Sequence, residues 1–390
     1  MRLRQASGLS PSAFAHAIAK ELGWQFGVGT YLSWERDVLP PVEVMRVAAR
    51  IAAQGHGEEA RPQGAAVEPR PSPDLDPGSW SGSTAADSAM VTIDAFRVVD
   101  RRIGGGYLYT AVISYLKHHV GPRLLAGGRN VFAIAASLTG MAGWMAHDAG
   151  RQRTAAMHFE QAGRLARAGG VEDLAGDIDA AQAHLALYLG KPADALAIAQ
   201  RGRQHVSRAP RCSGLVARLL AMEACAAATL GRKTEALRLL HRSEVELSRS
   251  EDPSPLVSPY DEASLASERA RCLYLLGDHS AARQSAEHVL AIRPSDHVRS
   301  RAFAQLSLAL IAMAGPRPDV VKASTIGMKV LHGSMALASA RVVHQLDELR
   351  RLLMPHRAVR EVADFLQQAE TILPQMKITY QLLDRGELAT

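Results

Sequence analysis

Few groupings of residues in this chain have the types and spacing to carry out a reaction. His118 and His119 are adjacent, so on a helix their side chains point about 100° apart and cannot close on one metal ion. No H-E-x-x-H motif or C-x-x-C pair accompanies them, and neither a metal nor a cofactor is expected. Gly104-Gly105-Gly106 has the backbone freedom to cradle a phosphate. It lacks a preceding strand and a following Lys-Ser/Thr, so a helix-breaking hinge is the better reading. Ser, His and Asp are scattered without a nucleophile motif; no catalytic residues are assigned, and the chain is not read as an enzyme. Cys212, Cys225 and Cys272 read as reduced core thiols, which points to the cytoplasm.

The elements that would position any binding residues announce themselves through glycine. A five-residue step to a small or branched apolar residue recurs as Gly150 to Ala155, Gly190 to Ala195, Gly231 to Ala236, Gly277 to Ala282 and Gly315 to Val320. Successive glycines lie 40, 41, 46 and 38 residues apart, which leaves room in each unit for two helices of about 13 to 18 residues. An apolar stretch such as Ala180 to Leu189 ends at Gly190, a residue able to adopt the left-handed conformation that satisfies a helix's last carbonyls. Small residues recur seven positions before the glycine (Gly143, Ala183, Ala224, Ala270) and twelve after it (Ala162, Gly202, Ser243, Gly327). Helices that cross closely need small residues there, so the sequence predicts an array of helical hairpins and an all-α fold.

These small positions and their offsets resemble the tetratricopeptide repeat, with units longer than that family's usual length of about 34 residues. The resemblance covers about half the chain. It implies that the first helix of each pair lines a concave face, with inward positions at Trp144, His147 and Asp148, then Asp177, His184 and Tyr188, then Arg218, Arg271, Tyr274 and Gln305. Aromatic faces mixed with hydrogen-bonding and cationic tips suit an extended peptide or a small amphipathic ligand.

The N-terminal 1–54 differs in character. Ser10 can cap a helix, Pro11 suits its first position, and Phe14, Ala15 and Ile18 form an apolar stripe. Arg4 to Ser10, the Ser33-Trp34-Glu35-Arg36 stretch and Pro40-Pro41 together resemble the Cro/repressor-type helix-turn-helix of bacterial regulators. The resemblance implies that the helix holding Trp34 and Glu35 enters the major groove of double-stranded DNA, with contacts from Val28, Gly29, Thr30, Ser33 and Arg36. None of the first four offers the bidentate hydrogen bonding of Arg, Gln or Asn. Basic residues outnumber acids only six to four over 1–54, so two heads acting together are needed for specific binding and a homodimer is expected.

Residues 55–88 are rich in Gly, Pro, Ser and Ala and read as a linker. The repeat body runs over 89–374, closed by helices near 335–353 and 357–372, and 375–390 form a tail. Asp347, Glu348, Arg350 and Arg351 put charge on one side of the first closing helix, as a solenoid cap requires. The net charge of +6 permits an anionic partner without demanding one. The N-terminus lacks an apolar signal core, and no run approaches the roughly 18 apolar residues that span a membrane. Head, linker and body together resemble ligand-responsive bacterial regulators: a cytoplasmic transcription regulator that binds an operator, dimerises, and senses a peptide or small-molecule effector. The alternative is a protein-interaction scaffold with a helix-turn-helix that does not read DNA.

Overall fold

Ser10 begins the first helix in the way its position suggests. Its hydroxyl accepts a hydrogen bond from the Ala13 amide at 3.2 Å, and helix α1 (Pro11–Leu22) buries Phe14, Ala15 and Ile18. The computed structural model describes residues 9–22, 83–125, 127–207, 212–250, 256–335 and 337–385. Two units divide the chain, 1–74, which holds α1, and 75–390. The DNA-contact residues Val28, Gly29, Thr30, Ser33 and Arg36, and the linker up to 82, lie outside the described residues.

The second unit is built from α2 (Ser83–Ile103), α3 (Tyr109–Tyr115), α4 (Gly121–Leu124) and then a series of hairpins. These are α5 (Arg129–Asp148) with α6 (Gln152–Ala168), α7 (Glu172–Tyr188) with α8 (Pro192–Val206), and α9 (Ser213–Thr229) with α10 (Lys233–Ser248). They continue as α11 (Glu262–Leu275) with α12 (His279–Ile292), α13 (Val298–Met313) with α14 (Val320–Gly333), and α15 (Ala340–Leu353) with α16 (Arg360–Arg385). No strand occurs among the described residues, and no described helix is long and apolar enough to cross a membrane.

The repeat's physical logic is visible at Gly190, where φ is +71°. The Lys191 amide donates to the Ala186 carbonyl at 2.8 Å and the Gly190 amide to the Leu187 carbonyl at 3.2 Å, a Schellman closure that uses up the carbonyls α7 would otherwise leave bare. The same pair of bonds recurs after α5, α9 and α11. At the crossings the small residues are packed hard: a Cβ on Gly143 would lie 2.5 Å from the Phe159 ring, and one on Gly202 would lie 2.6 Å from Leu219. Ala162, Ala183, Ala224 and Ser243 are fully buried.

The array does not end as an open solenoid. Helix α2 packs against α13, and α16 packs against the short 3-10 turn Gly105–Tyr107, so the last hairpins return to the first. Gly104-Gly105 is therefore a packed corner and not a hinge. A Cβ on Gly105 would meet the Met145 Cα at 2.6 Å, and one on Gly104, where φ is +86°, would meet the Ala338 carbonyl oxygen at 3.1 Å. Ring closure also corrects the cap reading of 335–353. That helix begins at Ala340, and its first turn faces inward, with Ser339 donating a hydrogen bond to Asp148 at 2.8 Å.

Two boundaries differ from the sequence expectation for identifiable reasons. Helix α2 starts at Ser83, because Ala85 and Ala86 favour a helix that the linker-like composition of 55–88 obscures. After α3 a π-helical stretch, Leu116–Val120, leads into α4, where Pro122 sits in the first turn and needs no amide partner. Helix α16 passes through Pro374 to Arg385, where a tail was expected. Ile372, Leu373 and Met376 stay buried across the proline, and that packing offsets a missing hydrogen bond that costs about 3 kcal/mol.

Candidate functional site

The ring surrounds a partly open cavity of about 700 Å³. Its wall is built from the inner helices α2, α5, α7, α9, α11, α13 and α15, together with the segment 256–261 that leads into α11 and with Arg293 and His297 between α12 and α13. The outer helices α6, α8, α10, α12 and α14 contribute nothing to it. This division follows from the hairpin geometry: tight turns and small crossing residues put every first helix on one side and every second helix on the other.

One stretch of wall is aromatic. Trp144 packs edge-on against Phe159, with centroids 5.6 Å apart, and lies 5.1 Å from the His184 ring. Tyr188 stands 4.8 Å from His147 and touches His344 through its hydroxyl at 3.4 Å. Of the residues expected to face inward, Trp144, Asp148, Asp177, His184, Tyr188, Arg218, Arg271 and Tyr274 do line the cavity. His147 and Gln305 do not.

His147 instead lies fully buried behind the aromatic wall, in contact with Trp144, His184 and Tyr188. Its Nδ1 pairs with Gln152 Oε1 at 2.5 Å, and its buried Nε2 has no hydrogen-bond partner among the described residues. Burial, aided by the Arg341 charge, pushes its pKa down to about 4. The folded protein therefore refuses a proton that the unfolded chain accepts below its usual value of about 6.5. Stability is fully present above pH 6.5 and falls as the pH drops toward 4, by an amount of order 3 kcal/mol. We expect His147→Phe to give a shallower stability profile over that window, measured by urea unfolding at a series of pH values. A profile as steep as that of the wild type would show that the titration lies elsewhere.

The rest of the wall is a network of arginines and carboxylates. Arg299, on α13, donates to Asp100 on α2 at 2.7 Å and to Asp148 on α5 at 2.9 Å, and so ties three inner helices together. Burial would raise the Asp148 carboxyl, but Arg299, Arg341 and the Ser339 hydroxyl outweigh it and hold the group below the usual carboxylate range. Arg218 pairs with Asp177, which also accepts from the Ser258 amide at 3.4 Å. Arg218 is therefore committed to a neighbour, although its guanidinium stays within 5.6 Å of the Trp144 ring centre. Arg293 forks onto Asp261, and Arg97 donates to the Leu256 carbonyl at 2.9 Å. With their carboxylates held by arginines, these groups are suited to fixing shape and charge, not to moving protons.

Arg97, Arg299, Phe303 and Arg341 line the cavity as well, and sequence reasoning did not find them. Arg299 shares the cavity face of α13 with Phe303, Ser307 and Leu310, a face that the expected position Gln305 does not belong to, so the repeat register did not point to it. No signal exists for Arg97 or Arg341 either, whose helices fall outside the recognisable repeats. Among the described residues no three metal-ligating side chains converge. In comparison with known proteins, the chain matches no family model and no curated sequence.

Proposed function

We propose that the chain is a cytoplasmic, homodimeric transcription regulator in which the helical ring is the effector sensor and 1–54 is the DNA-binding head. The observation that carries the sensing role is the cavity of about 700 Å³ at the centre of the ring, a size typical of small-ligand sites. The wall includes Arg97, Asp100 and Arg101 of α2, the first helix after the linker, and so the element nearest in sequence to the head. A ligand that touches α2 and α13 together alters the closure of the ring and with it the start of the body. Any regulation requires that it bind one closure better than the other, by about 1 to 3 kcal/mol for a usual coupling. The closed ring favours a small molecule over an extended peptide, which needs an open groove.

Support for the head is the Ser10-capped α1 with its buried stripe, together with the resemblance of the following segment to a helix-turn-helix. The test is selection of duplexes from a random DNA pool by the full-length protein, followed by gel-shift titration. We expect enrichment of a site with two-fold symmetry. Arg36→Ala should weaken binding to specific and random duplexes alike and reduce the salt slope by about one unit, as loss of a phosphate contact does. Absence of duplex binding at low salt would overturn the regulator reading and leave the interaction-scaffold alternative.

A further inference from the structure

Among the described residues, seven arginines line the cavity against five carboxylates, a surplus of two positive charges. The two lining histidines do not change this count, because burial holds both His184 and His297 toward the neutral form. The pairings narrow where it sits. Asp100 and Asp148 are taken by Arg299, Asp177 by Arg218 and Asp261 by Arg293, Arg97 pairs with Asp94 outside the lining, and Glu268 lies beside His184 with Arg271 nearby. Among the described residues, Arg101, Arg271 and Arg341 have no carboxylate within 4.0 Å, and of these Arg101 is exposed to solvent while Arg271 and Arg341 are partly buried.

Arg341 is the more unusual of the two. Its guanidinium lies over the Phe303 ring at 4.6 Å and within 5.9 Å of the Tyr188 ring centre. One of its terminal nitrogens reaches His184 Nε2 at 3.5 Å, and its buried Nε has no hydrogen-bond partner among the described residues. Stacking on an aromatic face leaves the in-plane N–H groups of a guanidinium free for a planar acceptor. Arg271 lines the same cavity from α11, and both arginines are close enough to His184 to disfavour its protonation. A partly buried cation without a direct ion pair is costly to the fold, and a ligand anion lowers that cost.

From this arrangement we infer that the effector is a small organic anion with an aromatic or apolar body, its carboxylate or phosphate head held by Arg341 and Arg271 and its body against Trp144, Tyr188 and Phe303. This rests on the reading of the cavity as an effector site. It adds the ligand's charge and orientation. Arg218, the more obvious candidate on sequence grounds, is excluded as the head-binding group because Asp177 already neutralises it.

The test uses two fluorescent probes with nearly the same aromatic body: 1-anilinonaphthalene-8-sulfonate, an anion, and N-phenyl-1-naphthylamine, which is neutral. Each is titrated into the full-length protein. The anion should bind at least about tenfold more tightly than the neutral probe, the increment of one to two charge-assisted hydrogen bonds. Arg341→Gln should remove most of that preference while changing the neutral probe's affinity less than about twofold, and Arg341→Lys should keep part of it. If Arg341→Gln does not fold, the wild-type comparison of the two probes and the Arg271→Gln variant decide the matter. Trp144→Ala should weaken both probes. Equal affinities for the two probes, both lost in Trp144→Ala, would overturn the anion assignment while leaving the cavity as a ligand site. Failure of either probe to respond to Trp144→Ala would count against the effector reading itself.

Discussion

Arg299→Met will destabilise the ring by about 3 to 5 kcal/mol, the range measured when one partner of a buried ion pair is removed and its counter-charge is left behind. Arg299 is the counter-charge for two carboxylates at once, and Asp148 is only 2 % exposed through its side chain. Methionine fills similar volume, so the loss isolates charge from packing. Acid should reveal the cause. A carboxyl held below its unfolded value stabilises the fold above about pH 3.9 and gives up that contribution as the pH falls through the folded pKa. Asp148 behaves so in the wild type, and loss of Arg299 takes away the largest influence that holds its carboxyl down. The gap between the two proteins must therefore narrow on acidification. Converting Asp100 and Asp148 to Asn in the Arg299→Met background should recover part of the loss, because it removes the stranded charges. Chemical denaturation monitored by circular dichroism measures all three. An Arg299→Met protein within about 1 kcal/mol of wild type at pH 7 would mean that the bridge does not hold the ring closed.

Phe159→Ala will cost a similar amount, about 3 to 5 kcal/mol, by a different mechanism. The ring is fully buried between α5 and α6, in edge contact with Trp144 at 5.6 Å and directly over Gly143. Its removal leaves a void that neighbours on rigid helices cannot fill, and it also withdraws support from the aromatic wall of the cavity. The crossing supplies its own control. Gly143→Ala alone should destabilise by about 1 to 3 kcal/mol, because the new Cβ lies 2.5 Å from the ring. In the Phe159→Ala background the same substitution meets no ring, and the better helix propensity of alanine makes it neutral or stabilising by up to about 1 kcal/mol. The double mutant should therefore be more stable than the sum of the single changes predicts. Strict additivity would show that Gly143 is not small on account of Phe159.

What the sequence determined by itself is the local grammar of the body. The glycines at 150, 190, 231, 277 and 315 all adopt positive φ, and the small residues on either side of them are buried where helices cross. Eight of the ten residues expected to face inward line the cavity, because inward-facing positions on a regular hairpin follow largely from helical periodicity. His147 missed by one step around its helix, which was enough to put it behind the wall. Gln305 lies on the far side of α13 from the lining residues Phe303 and Ser307, each two positions away. These outcomes depend on how each helix is rotated about its axis, which packing sets and spacing does not.

Closure was decided only in three dimensions. Asp100 and Arg299 are nearly two hundred residues apart, and nothing near either one announces the other. The same holds for Ser339 with Asp148 and for the Gly104 corner against Ala338. A repeat specifies how each hairpin sits on the next, through contacts of short range in sequence. The number of hairpins and the small rotation added at each one determine whether the array stays open or meets its own beginning, and that sum is a property of the whole stack. The identity of the unpaired cations depends on the same sum. Arg218 is bound because α7 lies beside α9 with Asp177 opposite, and Arg341 has no direct ion pair among the described residues because the ring brings it onto aromatic faces while Arg299 takes Asp148.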